Sequence, residues 1–228
     1  VAVISILIRF PHWGIYLIAL FFPFTYLEII YGSLNIPFVD AIALLLFIAW
    51  FARSLYFHFT RQRLLSLKNF PGWFFMGLFV LVCLLSLQNV DWEYFYFCLK
   101  YLFRPIIFFY LMFVVLPFNL INNFKKLYIT LKIMFVLGVG LSFMGIWSLF
   151  FPPVVGFRRV VPMSIFGIFP IGTNHNQIAE IFIVLIPLAL ILFWQERNIF
   201  WKNVYLIGIL IMAGVNLLTL SRSGWLAL

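Results

Sequence analysis

The chain is a series of apolar runs, each near twenty residues, separated by short segments that hold most of its charge. A helix needs about 20 residues to cross the roughly 30 Å hydrocarbon layer of a bilayer. The runs fall at about 13–31, 39–57, 71–89, 98–118, 128–150, 177–194 and 203–220, and an eighth opens at Gly224. That pattern predicts an all-α fold: a polytopic transmembrane helical bundle of about seven spans plus a truncated eighth, in a single domain. Residues 1–10 are apolar but precede Pro11, so they read as a half-helix or the tail of an earlier span. No small-residue cleavage site follows them, which argues against a signal peptide. Because the chain opens on Val1 and stops at Leu228 inside an apolar run, it reads as a fragment from the N-terminal part of a longer protein.

Composition closes the other routes. With 66% apolar and 9% charged residues, the chain lies far from the roughly 45–50% and 25% of soluble domains. No water-soluble fold could hide so much apolar surface. An outer-membrane barrel would alternate apolar and polar residues along each strand. The net charge of +9 comes from basic residues scattered between the runs, not from the continuous stripe that binds nucleic acid. Cys83 and Cys98 lack a CxxC spacing or a neighbouring His, so they support neither a disulfide framework nor a metal site.

The scattered charge does orient the spans. Placing the 58–70 loop in the cytoplasm puts Arg9, Arg53, Arg61, Arg63, Lys68, Lys125, Lys126, Lys132, Arg197 and Lys202 on that side. The opposite side receives Glu28, Asp40, Asp91, Glu93 and Glu180 with five basic residues, as the positive-inside rule expects. Trp50, Trp73, Trp92 and Trp201 near span ends suit interfacial anchoring. Gly138, Gly140 and Gly145 read as a close-packing face.

The five basic residues that break the rule are Lys100, Arg104, Arg158, Arg159 and Arg222. A cation near the outer boundary needs a partner there: a lipid headgroup, an acidic side chain or an anionic substrate. Arg158 and Arg159 lie in the long outer loop 151–176, whose four prolines and three glycines preclude a regular membrane helix. The loop ends in Gly172-Thr173-Asn174-His175-Asn176-Gln177-Ile178-Ala179-Glu180. Asn174 or Thr173 suits an N-cap, with Gln177 at capping-box spacing from Asn174. These residues either close a buried helix end or present its free N–H groups to an anion. His175 could donate, act as a base or merely cap, and Glu180 is expected to pair with an Arg or Lys. Further on, Thr219-Leu220-Ser221-Arg222-Ser223-Gly224 joins one span to the next. There Arg222 either bonds a helix-terminal carbonyl or offers its planar fork to phosphate oxygens.

The string GTNHNQIAEIFIVLIPLAL and the later LLTLSRSGWLAL resemble the O-antigen ligase and O-antigen polymerase superfamily of bacterial inner-membrane proteins. Asn174, Asn176, Ala179 and Pro187 match the first family pattern, and Thr219, Ser221, Arg222 and Gly224 match the second. The resemblance is specific over 172–228 and loose before that. It implies a GT-C-like bundle and a metal-independent, inverting glycosyltransferase with no cofactor. Such an enzyme takes glycan from undecaprenyl pyrophosphate and passes it, at the periplasmic face, to lipid A core or another glycan acceptor. It further implies that Arg222 holds the pyrophosphate, with Arg158, Arg159, Asn174, His175 and Asn176 as further substrate-binding candidates among membrane lipids. The family's catalytic His is expected beyond Leu228, so a fragment would be inactive alone. The rival readings are a transporter of a small anion such as bicarbonate and a non-catalytic scaffold. A transporter should show broken midplane helices and an internal repeat; Pro187 and the Gly138/Gly140 pair have no evident counterparts in the sequence.

Overall fold

Proline and cap chemistry decide where the apolar runs become helices. A computed structural model describes residues 7, 9–31, 34–61, 70–103, 108–151, 159–164 and 168–226. In chain order the elements are α1 (His12–Phe21), β1 (Glu28–Tyr31), β2 (Leu34–Pro37), α2 (Phe38–Arg61), α3 (Trp73–Ser86), α4 (Trp92–Tyr101) and α5 (Leu116–Leu120). They are followed by α6 (Phe124–Phe150), α7 (His175–Gln195), α8 (Ile199–Leu218) and α9 (Arg222–Leu226). Four stretches, Phe38–Tyr56, Phe124–Phe150, His175–Gln195 and Ile199–Leu218, are long and apolar enough to cross a membrane. They correspond to the runs at 39–57, 128–150, 177–194 and 203–220.

The run at 13–31 does not form one span. Its helix stops at Phe21, giving 10 residues, or about 15 Å of rise. Pro23 follows two residues later, and a proline drives the residue before it out of the helical region. The chain then enters an antiparallel hairpin with Glu28 opposite Pro37, Ile29 opposite Ile36 and Tyr31 opposite Leu34. Ile29, Ile30, Tyr31 and Ile36 favour extended backbone, and the sequence between the strands is Gly32-Ser33, a pair suited to a two-residue connection. Among the described residues this two-stranded hairpin is a small exception within a predominantly helical structure, in keeping with the all-α expectation. The run at 71–89 becomes α3 with a 3₁₀ extension to Asn89. The run at 98–118 is helical at both ends, in α4 and in a π-helical turn (Leu111–Val115) that leads into α5.

The chain divides into two units, 1–15 with 43–123 and 16–42 with 124–228. In the first, Leu46 is fully buried, and a Cβ on Gly14 would meet its side chain at 2.7 Å. The Tyr110 hydroxyl donates to the Pro71 carbonyl at 2.9 Å, tying the approach to α3 to the π-helical segment.

The second unit holds the candidate site. Its core joins Leu131, Phe135 and Leu141 of α6, Phe182, Leu185 and Leu192 of α7, and Tyr205, Met212 and Val215 of α8. Small residues let α6 come close: a Cβ on Gly138 would collide with Leu185 at 3.1 Å, and one on Gly145 would meet Val215 at 2.9 Å and Val160 at 3.0 Å. Gly140 does not belong to this face, for it is exposed and nothing lies within 4 Å of where its Cβ would be. The helical period explains why: 138, 141, 142 and 145 share one stripe, whereas 140 points roughly a third of a turn or more away.

Candidate functional site at one end of the second unit

The first turn of α7 is closed as its sequence requires. The Asn174 side chain accepts from the Asn176 N–H at 3.0 Å, and the Asn174 N–H donates to Gln177 Oε1 at 3.1 Å, forming a capping box. Gly172 precedes it with φ +98°, and a Cβ there would overlap the Gln177 amide. Glycine is therefore needed at 172 both for its backbone conformation and for room. The same Gln177 donates from Nε2 to the Tyr26 hydroxyl at 2.9 Å, while the Tyr26 N–H donates to the Pro170 carbonyl at 3.0 Å. Tyr26 was not among the sequence candidates. Its role depends on a contact 151 residues away in the chain.

Val160 and Val161 strap the segment before α7 onto the helix ends. The Val160 N–H donates to the Leu218 carbonyl at 3.0 Å, at the end of α8. The next N–H, of Val161, donates to Ser148 Oγ at 3.2 Å, near the end of α6. Val160, Val161 and Pro162 are buried by this arrangement. It sets Arg159, half-buried, with Nη1 3.4 Å from Nε2 of His175, the first residue of α7. Guanidinium can only donate, so Nε2 accepts and the neutral imidazole carries its proton on Nδ1.

Arg222 opens α9, and its side chain is exposed. The preceding turn is tightly held: Thr219 Oγ1 donates to the Asn216 carbonyl at 2.6 Å, and the Ser221 N–H donates to Thr219 Oγ1 at 3.3 Å. The Gly224 N–H donates to Ser221 Oγ at 3.3 Å, capping the short helix. Leu220 takes φ +57°, an unusual conformation for a branched aliphatic residue. Asn216, fully buried, donates from Nδ2 to the Gly224 carbonyl at 3.1 Å. A Cβ on Gly224 would sit 3.1 Å from Ala179 Cβ, so α9 seats against α7 one turn beyond His175.

Of the sequence candidates, Arg159 and His175 thus meet directly. Asn174 and Asn176 form the helix cap beside them, and Arg222 stands on a helix docked against the same end of α7. Arg158 and Arg104 lie outside the described residues. Glu180 is exposed on α7 and makes no ion pair among the described residues, so its expected pairing with a cation is not found there. Thr219 and Ser221, matched to the second family pattern, are buried in the turn before α9. Asn216 and Ser148 are buried polar residues outside the sequence candidates, and their signal is that of isolated polar side chains within apolar helices.

Chemically, this end offers guanidinium donors and an imidazole, which suit an anion, whereas the cap already takes up the Asn176 and Gln177 N–H groups of the helix start. No family model, characterised protein or solved structure matches the chain.

Proposed function

We propose that this chain is the membrane-embedded part of a GT-C-like glycosyltransferase of the O-antigen ligase or polymerase type. It would transfer glycan from undecaprenyl pyrophosphate to a hydroxyl of lipid A core or of another glycan, at the periplasmic face of the bacterial inner membrane. The observation that carries the reading is the meeting of Arg159 and His175 at 3.4 Å, beside the helix that bears Arg222. This end of the unit lies opposite the one holding Lys125, Lys126, Arg197 and Lys202. Breaking a sugar–pyrophosphate bond builds negative charge on the leaving phosphate. Fixed donors in a site sheltered from water stabilise such charge, and loss of one typically costs about 10²–10³ in rate.

The test is Arg222→Ala in the full-length protein, with membrane insertion verified. Glycan transfer falls by about 100-fold or more if the assignment holds. Unimpaired transfer overturns it. Bicarbonate uptake by vesicles containing the unaltered protein, without binding of lipid-linked glycan, would instead establish the transporter reading.

A further inference from the structure

Midway along α6 and α8, which run in parallel within the second unit, a groove opens between the two helices. Its floor is Phe135 and Gly208, and its walls are Val136 and Val139 of α6 with Ile207 and Ile211 of α8, enclosing about 270 Å³. Glycine at 208 lets the Phe135 ring lie flush in that floor, for a Cβ there would overlap the ring. Its lining is apolar, and Val136 and Ile207 are exposed at its rim.

One helical turn before the groove, at the end facing the turn between α7 and α8, stands a single cation between aromatic rings. Lys132 Nζ lies 4.5 Å from the Tyr128 ring centroid and 5.8 Å from that of Trp201. Lys132 is exposed and makes no ion pair among the described residues. The nearby carboxylate, Glu196, is already engaged. Its Oε2 accepts from the Tyr128 hydroxyl at 2.6 Å, and its Oε1 accepts from the N–H groups of Arg197 and Asn198 at 3.0 Å each. Exposed Lys125, exposed Arg197 and half-exposed Lys202 add to the positive charge at this end.

We infer that the α6–α8 groove binds one acyl chain of an anionic phospholipid whose headgroup phosphate is held by Lys132 beside Trp201. The order of the parts matches an amphiphile: a cation flanked by an interfacial tryptophan, then an apolar channel along the spanning faces of two helices. Trp and Lys at a span end take up the headgroup level of a bilayer. Charge complementarity selects an anionic head over a zwitterionic one, and the channel selects a lipid over a free phosphate ester. The inference does not depend on the glycosyl-transfer reading.

The experiment uses the detergent-solubilised full chain and follows its melting temperature as lipid is added. Phosphatidylglycerol raises it more than phosphatidylcholine of the same acyl chains, and soluble glycerol phosphate leaves it unchanged. Lys132→Gln abolishes the difference between the two lipids, while Ile207→Trp, which fills the channel, removes the response to both. An equal response of the unaltered protein to the two lipids overturns the inference, as does a Lys132→Gln protein that keeps its preference. An effect of glycerol phosphate equal to that of the lipid overturns the role of the groove. Concentration-dependent dimerisation blocked by Ile207→Trp would assign the groove to a second copy instead.

Discussion

Arg159 Nη1 and His175 Nε2 stand 3.4 Å apart although 16 positions separate them in the sequence. Neither residue is placed by its own helix alone. His175 is fixed by the capping box of Asn174 and Gln177, and Arg159 by the two N–H groups that follow it, donated to the ends of α8 and α6. A guanidinium with a rigid backbone beside it loses less freedom on binding an anion than one on a free loop. The pair is therefore only as well placed as the cap and the strap that hold it.

The cap can be tested on its own. Asn174→Ala removes the acceptor for the Asn176 N–H and is expected to lower stability by about 0.5–2 kcal/mol. Gly172→Ala should cost more, since the added methyl meets both a left-handed φ and the Gln177 amide. Thermal unfolding of the two variants in one detergent checks the order. Equal melting temperatures for Gly172→Ala and the unaltered protein would show that the cap does not adopt this geometry.

Glycines 138 and 140, two residues apart, should respond in opposite directions. Gly138→Ala presses a methyl on Met212 and Leu185, and overpacking of this kind costs roughly 1–3 kcal/mol. Gly140→Ala meets nothing within 4 Å, so only the helical preference of Ala acts, worth up to about 1 kcal/mol in its favour. Melting temperatures of the pair distinguish a packed face from a merely glycine-rich stretch.

The three long helices of the second unit are legible as apolar runs, and Asn174 and Asn198 mark where α7 and α8 start. Asn198 accepts from the Phe200 N–H at 2.9 Å, just as a cap should. The hairpin is legible in Pro23, the β-branched residues 29–30 and Gly32-Ser33, all of which oppose a continuous span. The contacts of the site are different in kind. Arg159 with His175, Tyr26 with Gln177 and Tyr128 with Glu196 join segments whose local preferences say nothing about one another. Periodicity identifies the buried face of α6 but not which residue of another helix lies across from it.

Glu196 gives a pH dependence with a definite sign. The hydrogen bond from Tyr128, then the N–H of Asn198, hold its carboxyl below the usual glutamate range. A depressed carboxylate stabilises the fold at pH values above its unfolded range and loses that contribution as pH falls through the folded value. The advantage of the unaltered protein over Glu196→Gln should thus be present at neutral pH and vanish on acidification below the ordinary glutamate range. Tyr128→Phe should show the same loss of pH sensitivity, because it removes the largest cause. Melting curves from neutral to acidic pH provide the measurement, and a gap that persists under acid would exclude the carboxylate as its source.

Ser148 links stability to the candidate site without touching any ligand. Its Oγ donates to the Gly145 carbonyl at 2.7 Å and accepts from the buried Val161 N–H at 3.2 Å. Ser148→Ala leaves that N–H without its partner, which costs about 1–3 kcal/mol for a buried group. Ser142 is the control, equally buried on the same face, but its Oγ reaches only the Gly138 carbonyl of its own helix at 2.8 Å. Its replacement by Ala removes a local bond and strands no N–H from another segment. If the strap positions Arg159, Ser148→Ala lowers both the melting temperature and the rate of glycan transfer in the full-length protein, while Ser142→Ala changes neither by a comparable amount. A Ser148→Ala protein that melts lower yet transfers glycan at the unaltered rate, measured well below its melting temperature, would show that the placement of Arg159 beside His175 is not needed for the reaction.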